Sequence, residues 1–456
     1  VVNPPEAQTP APPTEPSERR RLILTIGLPI IGSMVSQNVL NLVDTAMVGQ
    51  LPDSDNALAA VGTGGVAFFL AVALIMGLSS GVQAMVSRRK GEGREDVMAI
   101  PLNGALAGAL LLGLPLSVAL WFLAPTFYPL LNDDPEVIQY AVPYMQIRIL
   151  AVIAVGMNFS FRGFWNGTNR SKLYMQTIIV MHICNIVLNW SLIYGNLGMP
   201  ALGTDGAAIG TMVSTYIGTF YYLVLARRHA SDQGFLKGLP DREGLSALIR
   251  VSLPSGISTL AMALGYNVLY AIIGMVGTQE VAAAAVLVNI MFIAMLPAMG
   301  MGLASASLVG QALGRGDVPD ARKWAWDVVR ISLVMLVILG LPMWLLPGPI
   351  LSVFLDNPET VELARWPLIL IGLTTWVHGF AMVFFNSIVG AGASRRAMAI
   401  SIALQWGFFL PAAYVVGPVL GYGLLGIWIT ELTWRFLQAA VYTQQWQSDC
   451  WTDINV

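Results

Sequence analysis

Apolar runs of roughly twenty to thirty residues, broken by short clusters of Gly, Pro and charged residues, recur from residue 22 to residue 445. A helix needs about 20 apolar residues to cross a bilayer. The pattern predicts twelve such helices, at approximately 22–49, 58–87, 97–124, 136–164, 173–195, 206–226, 245–276, 281–312, 324–346, 361–390, 397–416 and 424–445. Residues 1–18 read differently: Pro4, Pro5, Pro10, Pro12, Pro13 and Pro16 with little apolar content predict a disordered tail. Arg19, Arg20 and Arg21 then lead into the first apolar run without a small-residue cleavage site, which predicts a retained helix rather than a removed signal peptide. Composition agrees, because charged residues at 11% cannot cover a water-facing surface. The expected class is an all-α integral membrane protein.

Basic residues fill every second connection: Arg88, Arg89, Lys90 and Arg94; Arg170 and Lys172; Arg227, Arg228, Lys237 and Arg242; Arg315, Arg322 and Lys323; Arg395 and Arg396. The alternate connections contain no Lys or Arg, so the positive-inside rule places both termini in the cytoplasm of a plasma (inner) membrane protein. The chain also repeats itself at a constant offset. Leu28-Pro29 recurs as Leu253-Pro254, Met76-Gly77-Leu78 as Met301-Gly302-Leu303, and Gly167-Thr168-Asn169-Arg170 as Gly392-Ala393-Ser394-Arg395, each 225 residues on. The register implies a duplicated six-helix bundle. Since six is even, both copies enter from the same side, as a parallel repeat. The expected domains are the tail 1–18, an N-lobe 19–236 and a C-lobe 237–456, with the hydrophilic connection 227–244 as a hinge candidate.

Ionisable groups inside a membrane helix are expensive and mark function or pairing. Asp44 is the one acidic residue deep in the first six helices, and Gln37, Asn41 and Asp44 share its helix face, with Asn38 beside them. Helix five presents His182, Asn185 and Asn189 on one face. Facing each other, the two stripes would line a hydrated cavity. There Asp44 could bind H⁺ or, with Asn185, Asn189 and the hydroxyl of Thr211, a hard cation such as Na⁺. The alternative is plain helix–helix hydrogen bonding. At the 225-residue offset Gln37, Asn41 and Asp44 become Met262, Tyr266 and Leu269, so the second copy keeps the framework without the polar stripe. Met262, Tyr266 and His378 are its cavity candidates, for apolar cargo or for packing alone. Pro29 lacks an amide donor and is the hinge candidate of helix one. Glu431 and Arg435, four apart, are expected to neutralise each other, and Arg148 to pair with a carbonyl or an acid.

Other chemistry is excluded. Two cysteines, Cys184 and Cys450, and three histidines leave no disulfide framework or Cys/His zinc site. A net charge of −2 without a basic, aromatic-laced patch argues against nucleic acid. No phosphate loop is present to hydrolyse ATP, no organic cofactor is expected, and energy must come from an ion gradient.

These residues resemble the multidrug and toxic compound extrusion (MATE) family, whose larger group also holds lipid and polysaccharide flippases. The resemblance covers the chain after residue 18. It rests on Leu28-Pro29, Asn41-Leu-Val-Asp44-Thr-Ala-Met-Val-Gly49, Met76-Gly77-Leu78, Tyr144-Met-Gln-Ile-Arg148, Phe161-Arg162-Gly163, Asn185-Ile-Val-Leu-Asn189 and Gly206-Ala-Ala-Ile-Gly-Thr211. It implies a V-shaped pair of six-helix lobes, no enzymatic activity, and a monomer that exports small organic cations from the bilayer-embedded state against inward H⁺ or Na⁺. Where the NorM-like branch places acids in helices seven and ten, this chain has Met262 and the His378-Gly379 neighbourhood, so it looks more like the DinF-like branch, which couples through the helix-one aspartate. Asn189 stands where that branch often carries an acid, which leaves one carboxylate and suits a proton better than a caged Na⁺. Protonation of Asp44 would then rearrange hydrogen bonds to Asn185, Asn189 and Tyr144. A lipid or lipid-linked-sugar flippase is the alternative, and would need a basic groove built from Arg148, Arg162 and Arg435.

Overall fold

The computed structural model describes residues 13–130, 134–448, 451, 452 and 454. Residues 1–12 of the expected tail and Cys450 lie outside the described residues. Among the described residues the chain is helical and contains no β-strand. Its long elements are α1 (Pro16–Val48), α2 (Ser54–Gly91), α3 (Glu95–Phe127), α4 (Pro135–Ile149 and Val152–Gly167), α5 (Ser171–Tyr194), α6 (Gly203–His229), α7 (Arg242–Gly274), α8 (Thr278–Gly314), α9 (Val318–Leu345), α10 (Pro358–Gly390), α11 (Ser394–Val419) and α12 (Gly423–Gln447).

Each expected apolar run falls on one of these elements. Ten of the described helices are long and apolar enough to cross a membrane, eleven with the two pieces of α4 taken as one bent span. The twelfth, α12, is a 25-residue helix. Glu431, Arg435 and four glutamines lower its hydropathy. At the other end, α1 starts at Pro16, within the segment 1–18 assigned to the tail. Proline is pre-organised for the first helical turn and Glu18 complements the helix dipole there, so these residues start the helix.

The chain forms two compact units. The first unit holds residues 32–86 and 94–256. The second holds the chain through Ile31, Ser87–Gly93 and everything from Ile257 on. Packing therefore follows a different line from a cut at 236/237. The first half of α1 is assigned with α8–α12, and the first half of α7, through Gly256, with α2–α6. α1 stays helical through Pro29, and the division falls just beyond it, at Ile31/Gly32.

In the first unit, close helix approach depends on missing side chains. A Cβ on Gly163 of α4 would stand 2.2 Å from the Ser79 carbonyl oxygen of α2, and one on Gly206 of α6 2.4 Å from the Leu192 carbonyl oxygen of α5. Of the small-residue pair in α3, Gly104 packs against Pro240, while Gly108 faces open space. α4 is bent by 50° between Ile149 and Val152. Such a break strips carbonyls of their helical partners, and in hydrocarbon those must be satisfied by protein. The Ser117 hydroxyl donates to the Ile149 carbonyl at 3.0 Å and the Tyr216 hydroxyl to the Leu150 carbonyl at 2.7 Å.

The connection 227–244 is anchored to the first unit. Asn103 of α3 donates to the carbonyls of Gly234 (2.9 Å) and Gly238 (2.7 Å) and accepts from the Leu236 amide (3.0 Å), while the Phe235 ring packs near Phe161. Three bonds from one buried amide hold this stretch against α3.

In the second unit, a core of Leu269, Ile273, Leu287, Met291, Leu368, Phe409 and Trp434 joins α7, α8, α10, α11 and α12. α11 contains wider, π-helical turns at Ala403–Phe409 and Val415–Val419. Insertions of this kind re-aim side chains; buried Gln405 on the first of them donates to the Met262 carbonyl at 3.3 Å.

Candidate functional site

The site is built in the first unit from α1, α5 and α6. α5 ends at Gly195 (φ 77°) and α6 opens at Gly203 (φ 56°), two left-handed glycines that let the chain reverse within a few residues. The Leu202 amide closes the turn on the Leu192 carbonyl at 2.8 Å. Gly206 and Gly210 then bring the α6 backbone against α5, which sets Thr211 beside Asn185.

Four polar groups come together as the sequence pattern predicts. Asn189 Nδ2 donates to Asp44 Oδ1 at 2.8 Å and to Asn185 Oδ1 at 3.2 Å. Asn185 Nδ2 in turn donates to Thr211 Oγ1 at 3.1 Å and to Ser214 Oγ at 3.3 Å. Asn185 and Asn189 are fully buried, and Asp44 is half-buried. Among the described residues no basic group lies in ion-pair contact with Asp44. Arg148 of α4 lies over the Phe68 ring at 4.5 Å, and its Nε is without a hydrogen-bond partner, so the expected pairing with a carbonyl or acid at that atom is corrected to a cation–π contact.

A second chain of contacts continues along the same faces. His182 Nδ1 meets the Ser36 hydroxyl at 2.6 Å, His182 Nε2 meets Gln37 Oε1 at 3.3 Å, and Gln37 Nε2 donates to Asn41 Oδ1 at 3.2 Å. Asn38 turns back to the Met34 carbonyl of its own helix at 3.1 Å and stays out of the network. Tyr144 is also displaced from its expected role. Its ring packs among Val48, Ala57, Ile193, Ala207 and Ala208 and against Gly64, with no hydrogen bond from its hydroxyl to Asp44. Ser36 and Ser214 were missed as partners. Ser214 lies three residues beyond Thr211 on one helix face, a spacing that could have found it. Met262, Tyr266 and His378 all lie in the second unit.

Chemically, the network offers one carboxylate and a set of amide and hydroxyl oxygens. Asn189 Oδ1 is buried and accepts no hydrogen bond. It faces Gly210, where an added Cβ would stand only 2.0 Å away. Gly210→Ala should therefore push Asn189 off Asp44 and lower ion-coupled transport severalfold without loss of protein from the membrane. Transport assays normalised to membrane content check this; unchanged activity would mean that the Asp44–Asn189 contact is dispensable.

The MatE family model matches the chain twice, over residues 29–191 and 254–415. The two matches begin 225 residues apart, the offset of the internal repeat. The chain is 25% identical to the probable multidrug resistance protein NorM of Thermotoga maritima over 432 residues, covering 92% of this chain and 90% of that one. It is 27% identical to the multidrug resistance protein PmpM of Pseudomonas aeruginosa, with 87% and 83% covered. Its fold matches an outward-facing structure of a multidrug resistance MATE family transporter of the MOP superfamily with a TM-score of 0.87 at 22% identity, covering 94% of this chain and 95% of that one.

Proposed function

Because the chain belongs to the MatE family of multi-pass membrane transporters, which are not enzymes, we propose that it exports organic cations or other amphipathic toxic compounds in exchange for H⁺, with Asp44 as the coupling carboxylate. The shared Asn189 amide carries this reading. One Nδ2 group serves both Asp44 Oδ1 and Asn185 Oδ1, and the Oδ1 of the same side chain is unused. An ionised Asp44 accepts from Nδ2. A protonated Asp44 becomes a donor and favours Asn189 Oδ1 instead. Turning the amide withdraws Nδ2 from Asn185, which in turn changes the bonds to Thr211 and Ser214. A proton on α1 is thus relayed to α5 and α6 by exchange of donors and acceptors, within one connected network. Each tenfold difference in proton affinity between two states biases them by about 1.4 kcal/mol.

Na⁺ is the second coupling ion to consider, on the specific ground that the network reached from Asp44 also holds Asn189 Oδ1, which accepts no hydrogen bond, and the Thr211 hydroxyl, which is bonded to Asn185. With one formal charge among them, the set suits a proton better. The multidrug names of the relatives support the cargo class and favour it over a flippase. A flippase would need arginines free to hold a pyrophosphate, whereas Arg148 covers Phe68, Arg162 is bonded to the Ser79 hydroxyl over Phe159, and Arg435 is paired with Glu431. The alternation of basic loops supports an inner-membrane orientation with both termini cytoplasmic. An acid in α1 without one at Met262 or His378 supports the DinF-like branch.

The test is efflux of a fluorescent organic cation from proteoliposomes under a pH gradient alone, a Na⁺ gradient alone, or neither. Uphill movement driven by the pH gradient in Na⁺-free buffer is expected. Movement that requires the Na⁺ gradient would replace H⁺ by Na⁺; none under either gradient would overturn the antiport reading.

A further inference from the structure

The second unit holds a buried charged cluster that the proposed coupling step does not use. Arg435 of α12 donates from Nε to Glu431 Oε1 at 2.6 Å and from a terminal nitrogen to the Tyr266 hydroxyl of α7 at 2.9 Å; its other terminal nitrogen lies 3.5 Å from Gln438 Oε1. Its guanidinium also lies over the Trp434 ring at 4.2 Å. Glu431 and Arg435 are each more than nine-tenths buried. A cavity of about 20 Å³ opens beside the pair, lined by Thr375 and His378 of α10 and by Met291 and Met295 of α8, and that is room for roughly one water. His378 Nε2 is buried there without a partner. These are the titratable and charged groups facing the pair from α7, α10 and α12; α8 contributes only apolar side chains.

The position is the counterpart of the first-unit site. α6 and α12 each open on a left-handed glycine, Gly203 (φ 56°) and Gly423 (φ 61°), and Thr211 and Glu431 each lie eight residues beyond it. Tyr266 stands at the repeat position of Asn41. So the second copy also has a polar centre between its first and last helices, but its acid is on the last helix and comes with its own cation.

We propose that Glu431 marks a monovalent-cation site whose ligand is built into the chain: the Arg435 guanidinium is tethered where an exchangeable H⁺ or Na⁺ would bind, and this keeps the second unit out of ion coupling. Arginine does not release its proton at any physiological acidity. The pair is neutral as it stands, so a further cation at Glu431 would bring an uncompensated charge into a buried site. Without the guanidinium, Glu431 would be an isolated buried carboxylate. It would then take up a proton, or draw Na⁺ into the vacated space with the Tyr266 and Thr375 hydroxyls as further oxygen ligands.

The inference goes beyond the Asp44 reading and is tested with that carboxylate removed. Thermal unfolding of full-length purified protein would be followed with and without Na⁺ across a pH series, in Asp44→Asn, Asp44→Asn with Arg435→Gln, and the same double variant with Glu431→Gln added. The Arg435→Gln variant is expected to gain a midpoint that rises with Na⁺ or falls as pH rises, by a few degrees, and Glu431→Gln should abolish that dependence. The Na⁺ and pH arms separate the two cations. A midpoint insensitive to both, or a dependence that survives Glu431→Gln, would overturn the proposal. Should the Arg435→Gln variants not fold, infrared difference spectra of the wild type against Glu431→Gln decide it. Glu431 is expected to remain ionised from mildly acid to mildly alkaline buffer, and a protonated carboxyl band that titrates and vanishes in Glu431→Gln would refute the tethered-cation site.

Discussion

Asp44→Asn is expected to abolish proton-driven accumulation against a dye gradient while leaving downhill exchange of the same dye measurable. The substitution keeps size and shape, and its amide oxygen can still accept from Asn189 Nδ2, as Asp44 Oδ1 does at 2.8 Å. It loses the capacity to take up and release a proton. Coupling between two sites commonly amounts to about 5–150-fold in affinity, and all of that contributed by Asp44 should disappear. The measurement is efflux from proteoliposomes with and without a pH gradient. Wild type should respond strongly and the variant should transport at the same low rate in both. Proton-driven uphill transport of normal size in the variant would remove Asp44 from the mechanism. The packing around the site makes misfolding an unattractive explanation for a loss, because Asn185 and Asn189 keep their bonds to each other, to Thr211 and to Ser214.

Arg19→Ala is expected to destabilise the second unit markedly. Arg19 is 3% exposed, and its guanidinium joins Asp320 at 2.6 Å and Asp327 at 2.7 Å while stacking on Trp324 at 3.5 Å. Removing one partner of a buried ion pair costs about 3–5 kcal/mol because the other charge stays behind. Here the two acids are 12% and 18% exposed, and Asp320 keeps Arg315 at 2.8 Å, so the lower end applies, about 3 kcal/mol. Asp327 would be left with Arg330 at 3.7 Å, on a side chain that is 78% exposed. Thermal unfolding in detergent should show a drop of several degrees. Arg19→Lys should recover only part of it, since an ammonium cannot fork between two carboxylates and stack on an indole at once. A midpoint equal to wild type in Arg19→Ala would show that the contacts add nothing to stability.

The twelve helices, the repeat and the pairing of the α1 and α5 stripes were legible because each depends on period alone. Gln37, Asn41 and Asp44 share a face whatever else the chain does, and so do His182, Asn185 and Asn189. Glu431 and Arg435 were legible in the same way, four residues apart on one helix. Their third partner was not, since nothing in α7 announces that the Tyr266 hydroxyl will meet a residue 169 positions away. Asp320 and Asp327, seven apart on α9, carry no sign in the sequence that Arg19 of α1 will pair with both. Tyr144 and Arg148 carry polar ends that suggest a place at Asp44, yet the aromatic and apolar surfaces around them, Phe68 above all, decide their positions. The pinning of residues 234–238 by Asn103 was hidden for the same reason: one asparagine in an apolar helix gives no sign of which distant carbonyls it serves.

The allocation of α1 and α7 bears on how such a chain could have arisen. Each repeat lends the opening half of its first helix to the core assembled around the other repeat. A lone six-helix ancestor would have exposed the gap left by its own lent segment. By the same logic, severing the polypeptide near residue 236 should yield two fragments that are insoluble apart and recover a native fold only when produced together.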